Sequence, residues 1–275
     1  MWPVRVLHVS DLHAGTAEEP QVESALRTLV AEFDPELVVA SGDLTHRNGP
    51  EQHARSAALL RSLDRPLLVV PGNHDIPMLP PARFTSTFAA FRREWPETEP
   101  VYRSERIVAC GLNSVRPWRR QAGAVSRKQV THAAEVFASA PPEALRVVAL
   151  HHQLVSAPWR TAKRPVAHRS RVLGGLVDGG AELILSGHVH QSSVAERREF
   201  EAVEGAVRGS TIATAPGLGH PRPKRRGEAR GLHAIEADER SLRILTYAWS
   251  GDGWLTIADR RFPRGRTPLG RLDPA

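Results

Sequence analysis

Five short polar signatures run along the chain in one order: Asp11-Leu12-His13, Gly42-Asp43, Gly72-Asn73-His74-Asp75, His151-His152 and Gly187-His188-Val189-His190. Each is rich in the oxygen and nitrogen donors that hold divalent cations. Together they offer enough ligands for two metal ions sharing one carboxylate, a pairing suited to hydrolysis of a phosphate ester. Asp43 is the natural bridge. Carboxylate, carboxamide and imidazole donors suit manganese, iron, zinc or nickel. No cysteine takes part, which argues against a structural zinc site.

These donors need a frame that brings distant segments to one edge. Each signature follows a short apolar run, at 4–9, 37–40, 67–70, 147–150 and 183–185, with another run at 107–112. Continuous Val, Ile and Leu runs read as strands buried on both faces. Side chains from several such strands converge at the carboxyl edge of an α/β sheet. Glycines ahead of Asp43, Asn73 and His188 allow the sharp turns that aim those side chains inward.

Helical spacing puts Val22, Leu26, Leu29, Val30 and Phe33 on one face, and Ala54, Ala58, Leu59 and Leu63 on another. Further helices are expected over 127–138 and 168–177. Strand and helix alternate, which implies parallel βαβ units. After about Ser192 the pattern changes to short strands at 232–237, 242–249 and 254–258, with a hairpin turn at Ser250-Gly251-Asp252-Gly253. These predict a second, largely antiparallel sheet. The fold class expected is α/β, a four-layer αββα sandwich of two packed mixed sheets with helices on both outer faces.

One domain is expected over 1–259, with 260–275 a poorly ordered tail. A rim insertion at about 77–100 contains a proline-rich stretch and a helix over 86–93. A basic loop spans about 217–230. The chain has 275 residues, enough for one large domain, with 41% hydrophobic and 24% charged residues as in globular proteins. The net charge of +7 is carried almost wholly by arginine and favours anionic partners such as nucleotides, nucleic acid or phospholipid headgroups. No apolar run is long enough to span a membrane. The first strand begins almost at once, which leaves no room for a secretory leader. The lone Cys110 reads as a small core residue. A cytoplasmic location is the expectation.

The ordered set of signatures resembles the calcineurin-like metallophosphoesterase superfamily, over roughly residues 4–190. The flanking text at 7–13 and 69–75 is most similar to bacterial class III cyclic nucleotide phosphodiesterases. The resemblance implies one metal held by Asp11, His13, Asp43 and His190, and a second held by Asp43, Asn73, His151 and His188. It makes His74 a catalytic group outside the metal ligands and near the phosphate, oriented by a hydrogen bond to Asp75. Relatives of this type often read His-His-Pro-Pro where this chain reads His151-His152-Gln153-Leu154. By the family pattern His151 is the ligand and His152 a neighbour lining the site.

The reaction so implied is attack on phosphorus by hydroxide drawn from water between two metals, with His74 stabilising the phosphoryl oxygens or protonating the leaving oxygen. Candidate substrate contacts are His46, His152, Asn113, Arg116 and Trp118, followed by Arg119, Arg120, Trp159 and Arg160. The remaining histidines read as structural, with His8 a hydrogen-bonded core residue and His53, His132, His168 and His233 at helix or sheet positions. The favoured substrate is a cyclic nucleotide or related small anionic diester, and a homodimer is the assembly considered. Rival readings are a DNA exonuclease, a lipid-linked pyrophosphate hydrolase and a non-catalytic scaffold. The first lacks an attachment region, the second lacks a convincing amphipathic helix, and the third usually loses ligands that are all present here.

Overall fold

The β-branched and leucine runs do form strands buried on both faces. The computed structural model describes residues 3–16, 20–119, 121–157, 159, 163–199, 207–219, 228, 230–264 and 266–267. Strand β1 (Val4–Val9), helix α1 (Pro20–Phe33), β2 (Leu37–Ala40), α2 (Pro50–Arg61) and β3 (Leu67–Val69) follow one another, and the three strands pair in parallel. The short helices α3 (Ala82–Thr85) and α4 (Ala89–Glu94) lead to β4 (Val101–Arg103) and β5 (Ile107–Leu112). Then come α5 (Arg127–Ala138), β6 (Leu145–Leu150), α6 (Arg169–Asp178) and β7 (Leu183–Ser186). The chain closes with β8 (Ser193–Glu196), β9 (Val207–Arg208), β10 (Thr211–Thr214), β11 (Gly231–Ala237), β12 (Ser241–Trp249), β13 (Trp254–Pro263) and β14 (Arg266–Thr267).

Two six-stranded mixed sheets result, in the orders β13-β12-β11-β1-β2-β3 and β4-β5-β6-β7-β10-β8, while β9 and β14 form a small ribbon. Their inner faces meet in one core, where Val6, Val39 and Leu68 join Ala109, Val147 and Leu185. Leu26 and Leu29 of α1 and Leu60 of α2 cover the outer face of the first sheet. Val136 and Phe137 of α5 and Leu173 and Leu176 of α6 cover the second. These are the four layers expected.

The strands expected at 232–237, 242–249 and 254–258 do not build a sheet of their own. β11 pairs antiparallel with β1, setting Val6 opposite Ile235, and β12 and β13 extend that first sheet. Almost all of β11 is buried, so it needs neighbours on both sides, and the edge of β1 opposite β2 supplies one. β13 also runs past the expected domain end at 259. Phe262 is buried opposite Leu242, which keeps the strand in register to Pro263. The rest of the expected tail, at 265 and 268–275, lies outside the described residues.

Helix α2 presents a different face from the one expected. His53, Ser56, Ala57 and Leu60 point inward with Leu63 just beyond, whereas Ala54 and Ala58 are exposed. Alanines at several phases give little periodic signal, and Nε2 of the buried His53 pairs with Asn48 Oδ1 at 3.0 Å. The rim helix expected at 86–93 is two short helices instead, α3 and α4, broken at Ser86.

Candidate metal centre

The chain reverses sharply at the ends of β1, β2 and β7. Asp11, His13, Asp43, His188 and His190 all adopt left-handed backbone conformations, with φ of 53, 49, 52, 74 and 58°. Such conformations cost on the order of 1–3 kcal/mol each and persist only where the surroundings over-determine them. Here the loops are tied to one another. The Asp11 N–H donates to the Gly42 carbonyl at 2.9 Å, and the His13 N–H to the Asp43 carbonyl at 3.0 Å. The His188 N–H donates to Asp11 Oδ2 at 2.9 Å, and the His74 N–H to Asp43 Oδ1 at 2.8 Å.

Two glycines are required by close approach. A Cβ on Gly187 would lie 1.8 Å from Ser10 Oγ and 2.4 Å from Asp11 Oδ2, and one on Gly72 would lie 2.1 Å from the Asp43 nitrogen.

The result is two adjoining clusters of buried donors. In the first, His190 Nε2 lies 3.0 Å from Asp11 Oδ1 and 3.1 Å from His13 Nε2. In the second, His151 Nε2 lies 3.3 Å from Asp43 Oδ1 and 3.2 Å from His188 Nδ1. Asp43 faces both, since its Oδ2 is 3.9 Å from His13 Nε2. Asp43 Oδ2 and Asn73 Oδ1 are buried with no hydrogen-bond partner. A buried acceptor left unpaired costs about 1–3 kcal/mol, a penalty that bound cations at these atoms would remove. The donor set therefore fits divalent metals, with the clusters able to hold a dinuclear centre.

A calcineurin-like phosphoesterase family model matches residues 4–192. The chain belongs to that family. The family is one of phosphoesterases, hydrolases that act on phosphoester bonds. A glycerophosphodiester phosphodiesterase, GpdQ, from Enterobacter lignolyticus (strain SCF1) is 37% identical over 65 residues, 24% of this chain and 22% of that relative. Among solved structures, the yellow lupin purple acid phosphatase PPD1 superposes with a TM-score of 0.70 at 13% identity, covering 99% of this chain and 57% of that one. A dimetal phosphatase from Danio rerio superposes at 0.64 with 12% identity, covering 96% of this chain and all of that one. At these identities the superpositions speak for the fold alone.

The electrostatics of the phosphoesterase site follow from burial opposed by pairing. Burial pushes the Asp11 and Asp43 carboxyls up, but His190 beside Asp11 and His151 beside Asp43 outweigh it, so both lie below the usual carboxylate range. Burial pulls His151 down, but Asp43 wins and raises it to about 9. His190 is raised in the same way, against burial, by Asp11. For His13 burial dominates over Asp43 and Asp11, and its pKa drops to about 3. Burial, then the charges of Lys163, His152 and His151, hold His188 low.

Outer contacts fix the rings. His151 Nδ1 donates to the Ser41 carbonyl at 2.8 Å, and Ser10 Oγ donates to Asp11 Oδ2 at 2.7 Å. Glu228 Oε2 lies 3.4 Å from His190 Nδ1, with both side chains buried. Sequence reasoning missed Glu228, the single acid in a loop read as basic. That loop's residues 220–227 and 229, and Arg120 and Arg160 of the candidate contacts, lie outside the described residues.

Asp75 departs from its expected role. Its oxygens accept from the N–H groups of Gly72, Leu44 and Thr45 at 2.8, 3.1 and 2.9 Å and from Thr45 Oγ1 at 3.0 Å. It organises the loops around Asp43 and does not orient His74. That task falls to the His46 carbonyl, which accepts from His74 Nδ1 at 2.7 Å. A fully buried carboxylate encircled by backbone N–H groups is spent on them. Burial first, then Asp43, raise its pKa.

The candidate substrate contacts divide. The His46 ring stacks on His74 with centroids 5.9 Å apart, and donor nitrogens of His13, His46 and His74 lie within 4.8 Å of one another. His152 lies against His188 with centroids 4.6 Å apart, but its Nδ1 is paired with Ser114 Oγ at 2.8 Å, so it stands outside the two clusters. Asn113 and Arg116 are structural. Asn113 Oδ1 accepts from the Val115 N–H at 2.9 Å. Arg116 donates to the carbonyls of Asn113 and Val115 at 2.8 Å each and to Gln129 Oε1 at 2.7 Å, which locks the loop onto the cap of α5. Trp118 is 71% exposed on the rim. A cleft of about 400 Å³ opens above Asn73 and His74.

Proposed function

We propose that this domain hydrolyses phosphodiester bonds at a dinuclear centre, with a cyclic nucleotide or related small diester as substrate. The observation that carries the proposal is Asp43, a buried carboxylate with one oxygen toward each donor cluster. Asp11, His13, Asp43 and His190 would hold one ion, and Asp43, Asn73, His151 and His188 the other. Manganese, iron, zinc and nickel all suit these donors. Bound there, two divalent ions supply activation of water at neutral pH and neutralisation of phosphate charge.

The chain's own residues do the rest. The pinned left-handed loops hold the carboxylates ionised and aimed at common points. His74 donates a hydrogen bond from Nδ1 to the His46 carbonyl, which leaves Nε2 as the ring nitrogen that would serve the departing oxygen. His46, stacked on that ring, forms the adjoining wall of the cleft. Similarity to a relative named for glycerophosphodiester hydrolysis supports diesters over monoesters.

The test is a hydrolysis panel of mono- and diester model compounds, cyclic nucleotides and DNA, run with manganese, iron, zinc and magnesium. The reading expects small diesters to be turned over at least tenfold faster than monoesters or DNA. Turnover confined to monoesters or to DNA would refute it.

A further inference from the structure

Several large apolar side chains are exposed, and one of them, Met78, lines the cleft. Among the described residues, Met78, Leu79, Phe84, Trp118 and Trp159 are 62, 63, 57, 71 and 62% exposed, and only Leu255 and Ile257 on β13 match them elsewhere. The first three follow the Gly72–Asp75 signature directly, and Trp118 follows β5. The two segments form one unit, because the buried Arg83 clips them together. Its Nε donates to the Pro117 carbonyl at 2.6 Å, its Nη1 to Pro77 at 2.8 Å and its Nη2 to Arg119 at 3.1 Å. Met78 and Arg83 also line the metal cleft beside Asn73 and His74, with Ile76 deeper in the same wall. The apolar rim is therefore continuous with the site of chemistry.

A guanidinium with three main-chain partners is a costly way to hold a surface loop unless its position matters. Exposed apolar side chains grouped on neighbouring segments mark a binding surface. A cleft of about 400 Å³ is also roomier than a bare phosphate needs, and lies in the range of about 300–1,000 Å³ that suits larger ligands.

We propose that the rim of Met78, Leu79, Phe84 and Trp118 binds an apolar substituent carried by the phosphoester, while the donor clusters take its phosphate. This rests on the phosphodiester reading above. The substrate class it selects is a diester with one aromatic or alkyl group, over one whose substituents are both small and polar.

Non-hydrolysable phosphonates test this by calorimetric titration of the full chain supplemented with manganese. The probes are methyl-, phenyl- and octylphosphonate. Burial of about 60 Å² of ligand surface corresponds to about tenfold in affinity, so the phenyl or octyl compound binds about tenfold tighter than the methyl one. Its binding heat capacity is also more negative, the mark of apolar burial. Preference for phenyl assigns the rim to an aromatic group, and preference for octyl assigns it to a chain. Met78→Ser with Trp118→Ser, both at exposed positions that leave folding intact, brings the three affinities within twofold of one another. Equal affinities in the unaltered protein, or a preference that survives the double substitution, would overturn the proposal and leave the diester reading standing. Failure of all three compounds to bind would likewise overturn the proposal, while the diester reading stands or falls on the hydrolysis panel.

Discussion

His13, His151, His188 and His190 stand at the carboxyl edge of the sheets, whereas His8 and His233 face each other across β1 and β11, one turn of chain below Asp11. Both groups are buried, and both contain imidazoles in contact, with the His8 and His233 centroids 5.6 Å apart. They differ in what the ring nitrogens meet. In the upper group Asp11 and Asp43 lie within ion-pair reach, and the rings nearest them, His190 and His151, are drawn toward the charged form. In the lower pair the partners are hydroxyls, Ser41 Oγ at 2.9 Å from His8 and Ser192 Oγ at 3.1 Å from His233. Burial then rules unopposed at His233, whose pKa falls to about 3. Clustered buried histidine is thus not a metal site by itself. The carboxylates make the difference.

The largest expected effect separates the ligands of the upper group from the chemistry of its neighbour His74. His74→Ala should lower kcat by about 10²–10⁴-fold, the usual range for a general acid, while metal content stays intact. Loss of bound metal in parallel would move His74 into the ligand set. Next comes the close packing that holds the upper group together. Gly187→Ala should destabilise the fold by about 3 kcal/mol, at the upper end for overpacking, because its Cβ has no room beside Ser10 and Asp11. Gly174→Ala is the control, since nothing lies within 4 Å of its Cβ, and as a helix residue it should gain up to about 1 kcal/mol. Equal urea midpoints for the two variants would contradict this account.

A third substitution probes the outer contacts. Glu228→Ala should weaken metal affinity by about 10–100-fold, as loss of a carboxylate behind a ligating histidine does. Competition with a chelator reads it, and an unchanged affinity would make the 3.4 Å contact to His190 incidental.

The smallest effect belongs to the lower pair. His233 stays neutral in the fold down to about pH 3, whereas in the unfolded chain it takes up a proton below about 6.5. Its contribution is present above that pH and falls by roughly 1.4 kcal/mol per pH unit on acidification through the window. His233→Gln should therefore flatten the loss of stability between pH 6.5 and 5. Identical pH slopes would mean that the ring is charged in the fold.

What could be read in advance follows the same division. Five signatures at strand ends were enough to bring Asp11, His13, Asp43, His151, His188 and His190 together, because each turn is local and the strands carry it to a common edge. His8 was legible as a hydrogen-bonded core residue from its place inside β1. Contacts that depend on tertiary approach were not. Asp75 lies next to His74 in sequence, yet the backbone N–H groups of a neighbouring loop claim its oxygens. Arg116 looked available to substrate, and α5 capping claimed it. The antiparallel strands after Ser192 carried no mark of which sheet edge they would join, and alanine at several phases of α2 hid its inward face. Glu228 is distant in sequence from His190 and belongs to no motif.

The central claim is that Asp43 serves two cations at once. Metal analysis of the purified chain after dialysis against buffered manganese tests it most directly. The account predicts about two ions per chain for the unaltered protein and near-complete loss of both in Asp43→Asn, with the circular dichroism spectrum preserved. An Asp43→Asn protein that still holds two tightly bound ions would contradict it.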